Sequence, residues 1–561
     1  MPDLVDRPVD AAALAALTAA GVDPRLARLY AARGVQSPAD LDLQLASLLS
    51  PDALSQAATA ARFLAAAIEA RRRLLIVADY DADGATACAV GMKALAAMGA
   101  EVDFIVPNRF EFGYGLTPEI VALAAERNPH VLITVDNGIS SVEGVAEANR
   151  RGIEVLVTDH HLPGDALPDA SVIVNPNQHG DGFASKHLAG VGVIFYVMLA
   201  LRAELRRRGR FEGGFEPNLA DLLDLVALGT VADVVRLDHN NRVLVEQGLQ
   251  RIRAGRGSPG ILALLAVAGR DPTRATTYDL GFVAGPRLNA AGRLDDMATG
   301  IRCLLAPNRA AAVPLADQLD RLNRERREIE ADMKASAFAM LDTIDAADRY
   351  TLSLFQPDWH QGVVGLVAGR VKDRFNRPAI AFAPENDGQL KGSGRSVKGF
   401  HLRDALDLVA KRAPGTITRF GGHAMAAGLS IPAGALAAFE ATFEAVAREW
   451  LTPADLALTL ETDGTLDGKA IDFDFVRSLE RGVWGQGFAA PSFHGELQVL
   501  EQRVVGERHS KLKVSLGGSS FEAMRFGSTE PMGGRLHAVF RPTINVFRNS
   551  ASLQLTLDHL L

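Results

Sequence analysis

The chain has 561 residues, 48% of them apolar and 22% charged, with a formal net charge of −8 and only two cysteines. That length exceeds a single hydrophobic core and implies several domains, and Cys88 and Cys303 are too few and too far apart for a disulfide framework or a zinc ribbon. No uninterrupted apolar run reaches the ~20 residues that cross a bilayer, and MPDLVDRPVDAAALAALTAAG has no basic segment ahead of an apolar one, so a cytoplasmic protein without a membrane partner is expected.

Residues 1–73 are rich in Ala and Leu at helical spacing and close on Arg71, Arg72 and Arg73, which reads as a helical N-terminal segment. From 74 to 305 short apolar strands alternate with amphipathic helices. LLIVAD (74–79) reads as a strand and ATACAVGMKALAAMG (85–99) as a helix. EVDFIVP (101–107) is a second strand, followed by a helix near 117–127. VLITVD (131–136) is a third and, after another helix, IEVLVTDH (153–160) a fourth. This alternation predicts an α/β fold with a parallel sheet covered on both faces. Residues 306–345 are strongly charged and helical, which suits a helix connecting two domains. A mixed region with Gly-rich turns fills 346–452, and from 453 to 561 short alternating strands such as KLKVSLGG and ASLQLTLDHL predict a small β-barrel or sandwich.

The polar residues fall where such a sheet binds ligands, at the carboxyl ends of its strands. The first strand ends in Asp79-Tyr80-Asp81-Ala82-Asp83-Gly84, the third in Asp136-Asn137-Gly138 and the fourth in Asp159-His160-His161. Asp233, in LGTVADVV after a helical run, offers one more carboxylate. Carboxylates gathered this closely repel one another unless cations neutralise them. With imidazoles beside them they suit Mn²⁺ or Mg²⁺ over a metal that prefers thiolate. There are enough donors for two ions about 3.5–4 Å apart sharing one Asp, the arrangement that activates water for in-line attack at phosphorus. Simpler readings exist for each piece taken alone. DYDADG matches the opening of an EF-hand loop, but the twelfth position is Val90 and a strand stands where a helix must enter. Asp-Asn-Gly alone is a common turn, and a histidine pair alone is commonly structural. The three strand ends together point to phosphoester hydrolysis.

The negative net charge argues against a polyanionic partner, although bound metals reverse the local field and basic groups such as Lys391, Arg395 and Lys398 are clustered. Gly392, Gly394, Arg395 and Ser396 read as a small-residue loop able to cradle a phosphate, or as a plain hairpin turn. His423 follows two glycines and precedes small residues, which suggests a helix N-terminus, where anions are favoured, or else a packed histidine. The fragment Ala189-Gly190-Val191-Gly192 lacks a glycine of the dinucleotide fingerprint and reads as packing glycines, and there is no phosphate-binding loop of the ATPase kind.

DYDADG, VDNG and DHH in this order resemble the motifs of the DHH phosphoesterase family, and RFEFGYGL, PRLNAAGRL, WHQGVVGLVAGR, GSGRS and GGHAMAAG resemble segments of its RecJ branch along nearly the whole chain. The resemblance implies a DHH domain over 74–305, the connecting helix, a DHH-associated domain of the GGH type over 346–452 and an OB-fold over 453–561. It implies Asp79, Asp81, Asp83, Asp136, His160 and Asp233 as metal ligands, with Asp136 as the bridge. His161 then contacts the scissile phosphate or protonates the leaving oxygen, and Asp159 orients a histidine from behind. Arg109, Arg287 and Arg293 match strand-binding positions, with Arg293 placed to clamp the reacting phosphate; Tyr114 would stack on a base or pack as an ordinary aromatic. The implied activity is 5′-to-3′ hydrolysis of single-stranded DNA to 5′ mononucleotides in repair and recombination, with two Mn²⁺ or Mg²⁺ ions and with single-strand-binding protein and a helicase as candidate partners. Two rival readings remain at this stage. One is a DHH enzyme acting on oligoribonucleotides or nucleotide phosphates, which would have no need of the last hundred residues. The other is a non-catalytic DHH-fold scaffold for replication, which would be expected to lose ligand positions.

Overall fold

The strand Arg73–Ala78 lies between Glu101–Ile105 and Val131–Val135, with Glu154–Thr158 and Val172–Val174 beyond, in a computed structural model that describes residues 3–107, 115–342, 348–548 and 550–561. All four pairings are parallel. Side chains alternate between two cores: Leu74 and Ile76 pack under the helices Ala57–Glu69, Ala82–Ala97 and Gly190–Arg207, while Leu75 and Val77 pack under Pro118–Ala125 and Val142–Arg150. Burial on both faces is why these strands read as continuous apolar runs rather than alternating ones. The chain order across the sheet is second, first, third, fourth, fifth, so the direction of winding reverses between Arg73–Ala78 and Val131–Val135. At such a switch point the carboxyl ends of the strands open a crevice. The fifth strand, Val172–Val174, is three residues long and carries no pattern that the sequence alone exposes.

The last strands form a closed barrel of Phe493–Val505, His509–Leu516, Ser519–Arg525, Ser550–Leu560 and Arg535–Phe547, which decides between barrel and sandwich. The barrel, the sheet and the N-terminal helices belong to one compact unit, Arg7–Asn323 with Asp463–Leu560. Leu29 of the helix Pro24–Ala31 enters the barrel's own core beside Phe475 and Phe493.

The second unit holds Arg324–Thr462, the residues up to Asp6, and Leu561. Its sheet orders Arg419–Gly422, Ala426–Pro432, Gln389–Arg395, Ala379–Pro384 and Leu352–Phe355, with only the last pair parallel. Phe382, Phe439 and Phe443 centre its core. Asp3–Asp6 is a strand that pairs with Thr459–Thr462, so the helical N-terminal segment begins only at Ala11; its partner lies more than 450 residues away and leaves no local trace. The charged segment expected to be helical forms the helix Arg309–Asp342. Among the described residues no helix is long and apolar enough to cross a membrane.

Candidate metal centre

The loop after the first strand is shaped by its own carboxylates. Asp81 caps the helix Ala82–Ala97 by accepting from the backbone N–H groups of Asp83 (2.9 Å) and Gly84 (3.1 Å), which is why that helix starts three residues before the expected position. Gly84 is required, because a Cβ there would stand 2.5 Å from the carbonyl oxygen of Asp79. Asp83 is buried and accepts from the N–H groups of Gly190 (2.6 Å) and Val191 (2.9 Å) at the start of Gly190–Arg207. The Ala-Gly-Val-Gly segment therefore does more than pack. It turns a helix N-terminus onto a carboxylate of the site, and a Cβ on Gly190 would lie 2.6 Å from Cβ of Asp136.

Asp136 leaves the third strand with φ 63°, its N–H donating to the carbonyl of Thr158. Asn137 ties two strand ends together by donating to the carbonyls of Val77 (3.2 Å) and Val135 (2.9 Å). On the fourth strand, Asp159 accepts from the N–H of Ile139 (2.9 Å) and pairs with Nδ1 of His161 at 2.7 Å. Asn175 and Asn177 hold the backbone carbonyls of His161 (2.9 Å) and His160 (2.6 Å). Asp233 caps the C-terminus of Leu223–Ala232.

These elements bring the donors together. His160 Nε2 lies 3.1 Å from Asp136, 3.5 Å from Asp233 and 3.9 Å from Asp83. Three sets have ligand atoms mutually within 4.8 Å: Asp136 with His160 and His161, Asp83 with His160 and Asp233, and Asp79 with Asp81 and Asp136. Asp136 and His160 each belong to two sets. Burial first, and then neighbouring carboxylates, raise Asp83 to about 7 and push Asp136 and Asp233 well above the usual carboxylate range. Burial also opposes charge on Asp159 and His161, but their mutual bond outweighs it. Asp159 is held below the ordinary range, and His161 is raised to about 9. Oxygen donors with two imidazoles and no thiolate fit hard or borderline divalent cations such as Mn²⁺ and Mg²⁺, whose charge would relieve the repulsion that raises these carboxylates.

The remaining described site candidates lie on other elements. Arg287 on the helix Gly285–Leu294 is bound to Asp320 (2.8 Å) and to the carbonyl of Val283 (2.7 Å); Arg293, in that helix's last turn, is half-buried. Arg109 and Tyr114 lie outside the described residues. Gly394 and Arg395 correct the sequence reading, since Gln389–Arg395 is a central strand and not a loop. Its glycines answer to packing: a Cβ would come within 2.5 Å of Phe382 at Gly392 and 2.7 Å of Leu402 at Gly394. Arg395 reaches Ser393 Oγ and the carbonyl of Gly394, and burial disfavours its charge. Ser396 is buried and donates to the carbonyl of Phe400. His423 is likewise not at a helix N-terminus. It sits exposed in the turn between Arg419–Gly422 and Ala426–Pro432, and Ser396 N–H donates to the carbonyl of Met425 in that same turn, so the two motifs are neighbours.

One group escaped the sequence reading. Asn289 Oδ1 accepts from Ala82 N–H at 2.7 Å, and Gly292 lies so close to the first loop that a Cβ would stand 1.9 Å from the carbonyl oxygen of Tyr80. PRLNAAGRL thus buttresses DYDADG from more than 200 residues away. Its Asn-Ala-Ala-Gly spacing, small residues along a helix face, was the available signal.

Residues 73–230 match the model of the DHH family N-terminal domain, 347–449 the DHHA1 domain and 462–559 the RecJ OB domain. The single-stranded-DNA-specific exonuclease RecJ of Dickeya dadantii is 49% identical over 95% of both chains, and that of Escherichia coli 48% identical over 96% of both. The crystal structure of RecJ in complex with Mn²⁺ from Thermus thermophilus superposes with a TM-score of 0.83 at 29% identity, covering 100% of this chain and 79% of that one. Identity near one half along almost the full length, with three matched domains in order, means that the chain belongs to the RecJ family of the DHH proteins.

Proposed function

We infer that this chain is a metal-dependent exonuclease that degrades single-stranded DNA from the 5′ end, releasing 5′ mononucleotides in DNA repair and recombination. The carrying observation is the convergence of oxygen and imidazole donors at the sheet's switch point, in a chain nearly half identical to named single-stranded-DNA-specific exonucleases. Solved RecJ structures in complex with Mn²⁺ and with Mg²⁺ support the choice of ions. Asp79, Asp81, Asp83, Asp136, His160 and Asp233 would hold two of them, with Asp136 as the bridge because it belongs to two donor sets and, unlike His160, has two oxygens to share between ions. Bound there, the ions would lower the pKa of a water and offset charge on the phosphate oxygens.

The chain's own residues supply the rest. Asp159 fixes the His161 ring through Nδ1, leaving Nε2 to carry a proton toward the scissile phosphate or the departing oxygen. Arg293 would clamp the reacting phosphate. Arg109, Tyr114, Gly394, Arg395, Ser396 and His423 are assigned to the strand's path, and Arg287 joins them if a phosphate displaces Asp320. No residue forms a covalent intermediate. We assign hydrolysis to 74–305, the connection to 306–345, capture of the 5′ end to 346–452 and grip on the strand to the barrel of 453–561, with residues 1–73 supporting the fold. We assign the protein to the cytoplasm, where a helicase and single-strand-binding protein would expose and present its substrate.

Digestion of strands labelled at either the 5′ or the 3′ end, with and without Mn²⁺, tests the reading. Labelled mononucleotide released at once from the 5′-labelled strand, only with metal, is expected. Early release from the 3′ label would reverse the polarity, and binding without cleavage under any metal would favour a scaffold.

A further inference from the structure

Tyr278 and Phe282 are large aromatic side chains left 52% and 71% exposed. Their rings stack on each other, with centroids 5.1 Å apart and planes 23° apart. Isolated exposed apolar groups are ordinary, whereas a contiguous pair that orders itself by stacking suits an interaction site. The backbone beneath them is unusual as well. Asp279–Ala284 forms a π-helical turn, a rare geometry concentrated at functional sites. That turn is pressed onto the helix that ends at Asp233. A Cβ on Gly281 would lie 3.1 Å from Val231, and one on Gly285 3.1 Å from Ala232. The turn that carries the ring pair therefore packs beside the end of the helix that presents Asp233.

Two partly exposed arginines shortly precede the pair in sequence, each meeting a carboxylate through a long contact. The Arg270 guanidinium lies 5.8 Å from the Tyr278 ring centroid and meets Asp279 at 3.4 Å with its side chain 48% exposed. Arg274 meets Glu480 at 3.6 Å, donates to the carbonyl of Ile544 at 3.4 Å and is 45% exposed. Exposed pairs this long hold little energy, and most of the five N–H donors of each guanidinium stay available for a phosphate.

We propose that Tyr278 and Phe282 form a stacking platform for an unpaired base of the DNA strand, with Arg270 and Arg274 receiving its phosphates. The proposal rests on the single-strand reading above and deepens it. Every base offers a flat face, so the platform grips without regard to sequence. In a duplex those faces are covered by neighbouring pairs, so the platform also favours single strands.

Binding of a labelled strand of about twenty nucleotides, long enough to span several base-stacking sites, to the full chain in EDTA, where cleavage is absent, tests the proposal by fluorescence anisotropy. Tyr278→Ala with Phe282→Ala should weaken Kd about 10-fold or more, the loss expected when base stacking is removed, while melting temperature stays near that of the wild type because both rings are exposed. Phe282→Trp should retain affinity; Phe282→Leu, apolar but without a flat face, should not. A strand with an abasic run should bind the wild type more weakly and show little further loss with the double variant. A double variant that binds as tightly as the wild type, or that loses equally on normal and abasic strands, overturns the platform and leaves the pair as a docking surface for another protein. A wild type that neither binds the strand in EDTA nor cleaves it with Mn²⁺ overturns the substrate reading, and the platform falls with it.

Discussion

Asp136 holds a left-handed backbone conformation, φ 63°, that few residues other than Gly, Asn and Asp adopt readily. Replacement by Ala would mix backbone strain with loss of a ligand, so Asp136→Asn is the cleaner test: same shape, same backbone tolerance, no charge. Cleavage should fall by more than about a hundredfold and bound Mn²⁺ should drop in calorimetric titration, since both proposed ions share this carboxylate. Near-normal turnover would remove Asp136 from the centre. The raised carboxylates also set a sign for the chelated protein. Asp83, near 7, and Asp136 and Asp233, higher than usual, keep protons in the fold that the unfolded chain releases above about 4. Their stabilisation is complete below that pH and is lost as pH rises through the folded values. His161, raised to about 9, acts in the same direction above its ordinary range. Chelated protein should therefore melt several degrees lower at about pH 8 than at about pH 5.5, with Mn²⁺ restoring more at the higher pH; a flat profile would mean that burial and neighbouring carboxylates do not raise these groups. At this scale the donors were legible because acidic and imidazole side chains at strand ends stand out in the sequence. Asn175 and Asn177, which hold backbone groups in place, have no such signature.

Among the elements, Gly285–Leu294 buttresses a loop more than 200 residues away, a partner that its own sequence does not name. Asn289 grips the start of the helix Ala82–Ala97, and Gly292 admits the carbonyl of Tyr80. Gly292→Ala should cost about 1–3 kcal/mol in denaturant melts and weaken Mn²⁺ binding as well, because the displaced loop carries Asp79, Asp81 and Asp83. Lost stability with unaltered Mn²⁺ affinity would show that the helix supports the fold without positioning the ligands. The strand Gln389–Arg395 teaches the opposite lesson. Gly-Ser-Gly reads as a turn because small residues carry little strand preference. Its β conformation is imposed by Ala379–Pro384 and Ala426–Pro432 on either side, and its glycines leave room for Phe382 and Leu402.

At the scale of the molecule, the barrel is built into the same compact unit as the candidate metal centre. Arg33 and Asp463 form an ion pair at 2.8 Å with side chains 2% and 1% exposed, and Leu29 completes the barrel core. Asp463→Ala would strand a buried guanidinium, with an expected loss of about 3–5 kcal/mol in urea melts; a wild-type midpoint would refute the pairing. Removing the whole barrel would destabilise the N-terminal helices too, so loss of long-strand cleavage in a truncated chain would not by itself measure the barrel's grip on DNA. The local periods of helix and strand determined where those elements form, and the acidic and histidine motifs determined what chemistry their ends could host. Strand order, barrel closure, the turn of Gly190 and Val191 toward Asp83 and the buttress on Tyr80 were decided only by the tertiary structure. Each depends on contact between groups far apart along the chain, and a one-dimensional pattern carries information only about neighbours in sequence.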